Sequence, residues 1–222
     1  MAETLSHAEE DYLKAIYELT EDAGKVSTSA LVQRLDRKAG SVTGMLQQLA
    51  DKKPRLVDYE RHHGVSLTPA GAQIALEIIR HHRLIELYLA EALGYEWDKV
   101  DAEAEQLEHV ISEEFEDKIS AMLGDPTVDP HGDPIPAKDG SVAPPSRLTL
   151  SDAEPGQPVR VARVRDDDPA LLRYLAELGI VPEAVVTVAE RAPFDGPIHV
   201  TVGQQDHALG RSVTDKVFVV GA

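Results

Sequence analysis

The periodicity of apolar residues changes once along this chain, and that change excludes a single uniform architecture. Up to about Leu123 apolar side chains recur at the three-to-four-residue spacing of helices, whereas beyond Leu148 they alternate with polar ones at the period of two that strands require. Between the two regimes, Gly124 to Arg147 holds six prolines and three glycines with almost no apolar periodicity, the composition of a linker. A chain of 222 residues, 42% of them hydrophobic, has the material for two or three small cores. It contains no cysteine, so disulfides and thiolate metal sites are unavailable. With no signal peptide and no apolar run of membrane-spanning length, a cytoplasmic protein without membrane contact is expected.

The first seventy residues read as three helices and a hairpin. Ala8, Tyr12, Ala15, Ile16 and Leu19 define a helix from about Ser6 to Thr20, opened by a Ser6–Glu9 capping box. Ser27 can cap a second helix running to about Leu35 with Ala30, Leu31 and Leu35 inward. A turn from Asp36 to Gly40 leads to a third helix, Ser41 to Asp51, with Val42, Met45, Leu46 and Leu49 as its apolar face. Arg55 to Glu60 and Val65 to Thr68 then alternate as strands around an Arg61-His62-His63-Gly64 turn. Helix-turn-helix followed by a β-wing is the resulting pattern.

Charge decides between a DNA reader and an ordinary helical bundle. The net charge of −17 opposes phosphate binding, but it is unevenly spread. Lys25 to Val65 carries eight basic against four acidic residues, while Leu84 to Asp129 carries two basic against fourteen acidic. Positive charge confined to the third helix, its approach and the wing points to double-stranded DNA. Arg37, Lys38, Ser41, Thr43 and Gln47 project from the leading end or polar face of the helix that would enter the major groove. Ser27 and Thr28 can hold a phosphate at a helix amino end, and Arg61 can reach the backbone from the wing. His62 and His63 read as solvated turn residues.

The acidic middle region carries a second signal. If Asp101 to Ile111 is one helix, Asp101, Glu105, Glu108 and His109 share a face at spacings of four, three and one. A solvated acidic helix with one histidine is the plainer reading. A neighbouring helix, Ile78 to Leu89, carries His82 and Glu86 at i and i+4, so two helices offer imidazole and carboxylate together. Between Ala72 and Leu93 there is also more apolar surface than one stripe needs, which implies a partner, most simply an identical chain. A two-fold dimer would place paired recognition helices roughly 34 Å apart, as adjacent major grooves require.

Five linked segments carry a family likeness. These are Glu10-Asp11-Tyr12-Leu13 with Ile16-Tyr17-Glu18-Leu19, Ser41-Val42-Thr43, Leu67 to Gly71, His82-Arg83-Leu84-Ile85-Glu86, and Glu105 to Ser112. In this order, over about residues 5 to 136, the chain resembles the diphtheria-toxin-repressor family of metal-dependent transcriptional regulators. The resemblance implies one metal site built from Asp11, Glu105, Glu108 and His109, and a neighbouring one from His82, Glu86 and Asp101. Carboxylates at Asp11 and Glu105 match the manganese-responsive branch, where iron-responsive relatives have methionine and cysteine. Hard oxygen ligands with imidazole suit Mn²⁺, with Fe²⁺ as the alternative ion. Lys14 departs from a glutamate of the manganese branch, and Asp101 from a histidine of the iron type. Pro130-His131-Gly132-Asp133-Pro134-Ile135-Pro136 also resembles the family, which suggests ordered packing there, with His131 read as a turn residue.

After Leu148, strands around Val159–Val164, Val185–Ala189, Ile198–Val202 and Val217–Val220 surround one short helix, Pro169 to Leu178. The resemblance makes this a small SH3-like barrel. Asp166, Asp167 and Asp168 read as caps of its helix, and as an alternative could reach the second metal site. The expected architecture is multidomain α+β: a winged helix-turn-helix over 1–69, an all-α dimerisation and metal-binding domain over 70–128, a linker over 129–147 and the SH3-like domain over 148–222. The expected function is metal-dependent repression of metal-uptake genes by a homodimer on a palindromic operator. Two other classes remain open: a metal-independent winged-helix regulator sensing an organic ligand, and a metallohydrolase. Against the latter, no His-Glu-x-x-His pair or nucleophile motif accompanies the ligands.

Overall fold

A computed structural model of the chain describes residues 5–165 and 167–222. It forms two compact units: one of the residues up to His81 with Glu108–Ile111 and Pro136–Ser141, the other of His82–Leu107, Ser112–Ile135 and Val142–Ala222. This division differs from boundaries drawn on sequence because one helix, α4 (Pro69–Leu93), runs unbroken through the change of unit.

The first unit contains α1 (His7–Ala23), α2 (Thr28–Leu35), α3 (Ala39–Asp51) and the hairpin β1 (Val57–Glu60) and β2 (Gly64–Leu67). Ser6 and Glu9 form the expected capping box, which fixes where α1 starts. Ser27 caps α2 through the Ala30 amide, and Asp36 ends that helix in the left-handed region at φ 48°. Leu13, Ile16, Leu31, Val42, Leu46, Leu49, Val57 and Val65 are the buried centre, so every element contributes one face to a common core. The wing pairs Val57 with Leu67 and Tyr59 with Val65, and Val26 adds a bridge to Val65. Arg61, His62 and His63 are exposed at its tip, in agreement with a solvated turn.

Gly71, in the first turn of α4, lies against the end of β1's approach. A Cβ there would stand 2.0 Å from the Leu56 carbonyl oxygen, backbone that cannot rotate away. Gly71→Ala is expected to destabilise the protein by at least about 2 kcal/mol, read by denaturant unfolding. An unchanged midpoint would show that α4 and the wing can separate at no cost.

The second unit holds the rest of α4 with α5 (Val100–Leu107) and α6 (Glu113–Met122), the last capped by Ser112. Its helical part buries a small cluster of Leu84, Leu87, Ile119 and Ile135. The expected single helix from Asp101 to Ile111 is corrected: α5 stops at Leu107, and Glu108, His109 and Val110 form a turn. Residues 129–136, the start of the Pro/Gly-rich stretch, are buried except for a half-buried Pro130, so linker character begins only after them.

The remainder is a five-stranded antiparallel sheet in the order β6-β5-β4-β3-β7. Its strands are β3 (Pro158–Val164), β4 (Val185–Arg191), β5 (Ile198–Val202), β6 (Gln205–Leu209) and β7 (Val217–Gly221). Two short helices accompany them, α7 (Pro169–Glu177) and α8 (Arg211–Thr214). Alternate residues Val159, Val161, Val186, Val188, Ile198 and Val200 point inward against Leu171, Leu172 and Leu175 of α7. Asp168 caps α7 by accepting from the Ala170 and Leu171 amides, and Asp167 pairs with Lys216 at 3.2 Å. Asp166 lies outside the described residues.

Candidate metal centres and nucleic-acid interface

Among the groups of ligand-type side chains that gather, one trio in each unit draws on residues of the two sites that the resemblance implies, and Asp101 does not share a trio with Glu108 and His109 as one helical face would require. In the first unit, α1 presents Glu10, Asp11 and Lys14, and the turn after α5 presents Glu108 and His109. His109 Nε2 stands 2.8 Å from Asp11 Oδ1 and 3.4 Å from Glu108 Oε1. One ligand atom from each of Asp11, Glu108 and His109 lies within 4.8 Å of the others. Their burial falls from Glu108, fully enclosed, through His109 to a partly exposed Asp11, so the trio opens toward solvent on the Asp11 side.

Three neighbours tune this group. Glu10 Oε2 lies 2.7 Å from His109 Nδ1, and a carboxylate can only accept, so Nδ1–H donates to it. A neutral ring then turns its Nε2 lone pair toward Asp11 and Glu108, the carboxylate–histidine arrangement that orients metal ligands. His7 stacks on the same ring at 4.8 Å between centroids. Lys14 donates to both Glu108 oxygens, at 2.7 and 3.0 Å, inside a buried pair. Its ammonium therefore sits against the same carboxylate that a cation would use. Sequence reasoning missed Glu10 and His7, because only the fold brings α1 to a turn so far along the chain.

The second trio belongs to the second unit. His82 Nε2 is 3.5 Å from Glu86 Oε1 and 3.5 Å from Asp101 Oδ1. The two α4 residues share a face at i and i+4, and Asp101 comes from the start of α5. Glu86 is wholly buried and neither of its oxygens has a hydrogen-bond partner, a state that a cation relieves. Oxygen donors with one imidazole fit a hard divalent ion in both trios. Glu105 is exposed on α5, with a carboxylate oxygen within 4.8 Å of a His82 ring nitrogen. Close by Glu86, burial, then the charges of Glu86 and of Asp133, push the Asp129 carboxyl up to about 8.

The nucleic-acid side is simpler. Ser27, Arg37, Lys38, Ser41, Gln47 and Arg61 are exposed, and Thr28 and Thr43 half-buried. All except Arg61, at the tip of the wing, fall on α2, α3 or the turn between them. Ala39 begins α3 two residues earlier than expected, which brings Ser41 into its first turn.

The chain matches known proteins over almost its whole length. Residues 4–65 match the iron dependent repressor N-terminal DNA binding domain, 68–137 the iron dependent repressor metal binding and dimerisation domain, and 148–220 the FeoA domain. The iron-dependent repressor IdeR of Mycobacterium leprae is 32% identical over 223 residues, 95% of each chain. The diphtheria toxin repressor of Corynebacterium diphtheriae is 32% identical over 130 residues, 59% of this chain and 57% of that one. Among solved structures, a manganese-dependent transcriptional repressor in complex with manganese superposes with a TM-score of 0.88 at 39% identity, covering 96% of this chain and 100% of that one. ScaR with bound Cd²⁺ gives 0.82 at 30%, covering 96% and 99%. These relatives are repressors, not enzymes, and among the described residues no helix is long and apolar enough to cross a membrane. Winged helix, ligand-bearing middle helices and SH3-like end, matched along almost their whole length, make this chain a member of the iron-dependent repressor family of metal-dependent, DNA-binding transcriptional regulators, the family of the diphtheria toxin repressor.

Proposed function

We propose that this chain is a manganese-responsive repressor, with Fe²⁺ as the alternative ion. In this reading it acts in the cytoplasm as a homodimer on a palindromic operator and represses metal-uptake genes. Asp11, Glu108 and His109 hold one ion, and His82, Glu86 and Asp101 a second. The observation that carries the reading is the convergence of Asp11 with Glu108 and His109 through a 2.8 Å contact. The absence of cysteine favours a hard ion, and the likeness to a manganese-dependent repressor supports the same choice.

Helix α1 is the mechanical link. One side of it carries Glu10, Asp11 and Lys14 toward Glu108 and His109. On another, the buried Glu9 accepts from Gln48 Nε2 at 3.0 Å and pairs with Lys52 Nζ at 2.8 Å, holding the end of α3. The helix also packs against α2 and β2. Any displacement of Asp11 toward the trio therefore moves the helix that braces the reading head. A bound divalent ion supplies positive charge and a common centre for the carboxylates. Glu10 keeps His109 in the ligating tautomer, and Lys14 offsets Glu108 when the cation is absent. The gain in DNA affinity can be no larger than the ion's preference for the DNA-competent arrangement.

On DNA, Ser41, Thr43 and Gln47 face base edges, Arg37, Lys38 and Arg61 the phosphates, and Ser27 with Thr28 a phosphate at the start of α2. Exposed Leu93, Tyr95, Phe115, Met122 and Val128 in the helical part of the second unit support the homodimer. Lys38→Ala is expected to weaken binding on every sequence and to lower the salt slope by about 1. A changed sequence preference at constant slope would move Lys38 from phosphate to base. The deciding experiment is DNA affinity of the full chain titrated with Mn²⁺, Fe²⁺ and Zn²⁺. Mn²⁺ is expected to activate most strongly, and a flat response to all three would overturn the reading.

A further inference from the structure

Behind the His82–Glu86–Asp101 trio, the second unit brings together another set of ligand-type groups. Ligand atoms of Glu86, Asp129 and His131 lie within 4.8 Å of one another, and all three residues are buried. Glu86 Oε1 stands 3.7 Å from His131 Nδ1 on one side and 3.5 Å from His82 Nε2 on the other. An ion with bonds of about 2.1 Å sets its neighbouring donors about 3 Å apart and its opposite donors about 4.2 Å apart, and the 3.7 Å between Glu86 and His131 falls in that range.

The groups are oriented as well as near. His131 Nε2 lies 2.8 Å from the Trp97 carbonyl oxygen, which can only accept, so a neutral ring directs its Nδ1 lone pair toward Glu86. The ring stacks on Trp97 at 5.7 Å. Asp129 Oδ1 accepts the backbone amides of His131 and Asp133 at 2.8 and 3.0 Å, and Oδ2 is buried with no hydrogen bond, 3.6 Å from Arg83 Nε. Both Glu86 oxygens are likewise without a donor. Arg83 lies 3.6 Å from Asp129 and 3.9 Å from Asp133, and Arg163 3.0 Å from Asp133, so the arginines stand on the Asp129–Asp133 side of the group. The turn that supplies Asp129 and His131 packs closely on β3. Gly132 has φ +91°, a Cβ on it would stand 2.1 Å from the Ala162 carbonyl oxygen, and Val164 N–H donates to the His131 carbonyl at 2.9 Å.

We propose that Glu86, Asp129 and His131 form a further divalent-cation site, with Glu86 as a carboxylate bridging it to the His82–Asp101 position. Its donor set, two carboxylates and one imidazole, selects a hard ion such as Mn²⁺. It shares one residue with a site proposed above and stands apart from the Asp11 trio and from DNA binding.

The test is the number of Mn²⁺ ions retained per chain in equilibrium dialysis, read by elemental analysis, for the wild type, Asp129→Asn, His131→Gln and Asp11→Ala. Asparagine keeps the acceptor for the two amides while removing the charge. Asp129→Asn and His131→Gln are each expected to hold one ion fewer than the wild type with equal melting temperatures in EDTA. Asp11→Ala loses a different ion, and its behaviour judges the first trio alone. Retention of the wild-type number by both Asp129→Asn and His131→Gln would overturn the proposal and leave a proton shared among the carboxylates instead. Should either variant fail to fold, anomalous scattering at the manganese edge from wild-type crystals decides. A peak between the three residues supports the site, and its absence at saturating Mn²⁺ overturns it.

Discussion

His109→Ala is expected to leave a folded protein whose DNA affinity no longer rises when Mn²⁺ is added. The imidazole is nearly buried and stands at the centre of the first trio, 2.8 Å from Asp11, 3.4 Å from Glu108 and, through its other nitrogen, 2.7 Å from Glu10. Removing it deletes one donor and also releases Glu10, whose present work is to orient that donor. Altering an orienting partner alone typically lowers metal affinity about 10- to 100-fold, so loss of the ligand itself should reach or exceed the upper figure. In the proposed switch metal affinity and DNA activation are linked through α1, so both should fall together. Calorimetry of Mn²⁺ binding and an operator titration, made on the same preparation, provide the check. Glu10→Gln is the graded companion, since an amide oxygen still accepts from Nδ1 but no longer carries charge; it should fall between the two. Activation of His109→Ala at wild-type Mn²⁺ concentrations would remove the trio from the switch.

Lys14→Met should have the largest effect on the apo protein. The ammonium and the Glu108 carboxylate are both buried and doubly hydrogen-bonded. Removing one partner of such a pair leaves a carboxylate without its counter-charge in a dry site, a loss of about 3–5 kcal/mol. Methionine keeps much of the side-chain volume, so the loss is electrostatic and not a cavity effect. The same change removes the competitor for Glu108, and Mn²⁺ should bind more tightly and restore the lost stability. Melting temperatures in EDTA and in excess Mn²⁺ test both halves: a large drop in the first and a near-wild-type value in the second. Equal melting in EDTA would mean the pair is neutral to folding, and an unrestored value in Mn²⁺ would mean that Lys14 does not compete for the ion's place.

How far the site could be read in advance depended on whether its contacts were local. His82 and Glu86 were legible because i and i+4 on a helix is a geometry written in the sequence. The run from Asp101 to Ile111 was not. It contains no glycine or proline to mark a stop, so periodicity extends the helix through it, yet α5 ends at Leu107. Glu108 and His109 lie in the turn beyond it and join Asp11, while Asp101 joins His82 and Glu86. Glu10 offered no signal beyond standing next to Asp11. His131 read as a turn residue, and it does lie in a turn, but its burial against Trp97 and Glu86 follows from packing onto β3.

The sequence by itself determined the elements and their order: the Ser6 and Ser27 caps, the three helices and basic wing, the long α4, and the change from a helical period to a strand period after the proline-rich stretch. These are settled by interactions within a turn or two of chain, which spacing records directly. Only the tertiary structure decided which charges meet: Asp11 with His109, Lys14 with Glu108, Glu86 with His131. A buried charge is stable only beside its partner, and the identity of that partner is set by how whole elements pack, at separations over which no local pattern persists.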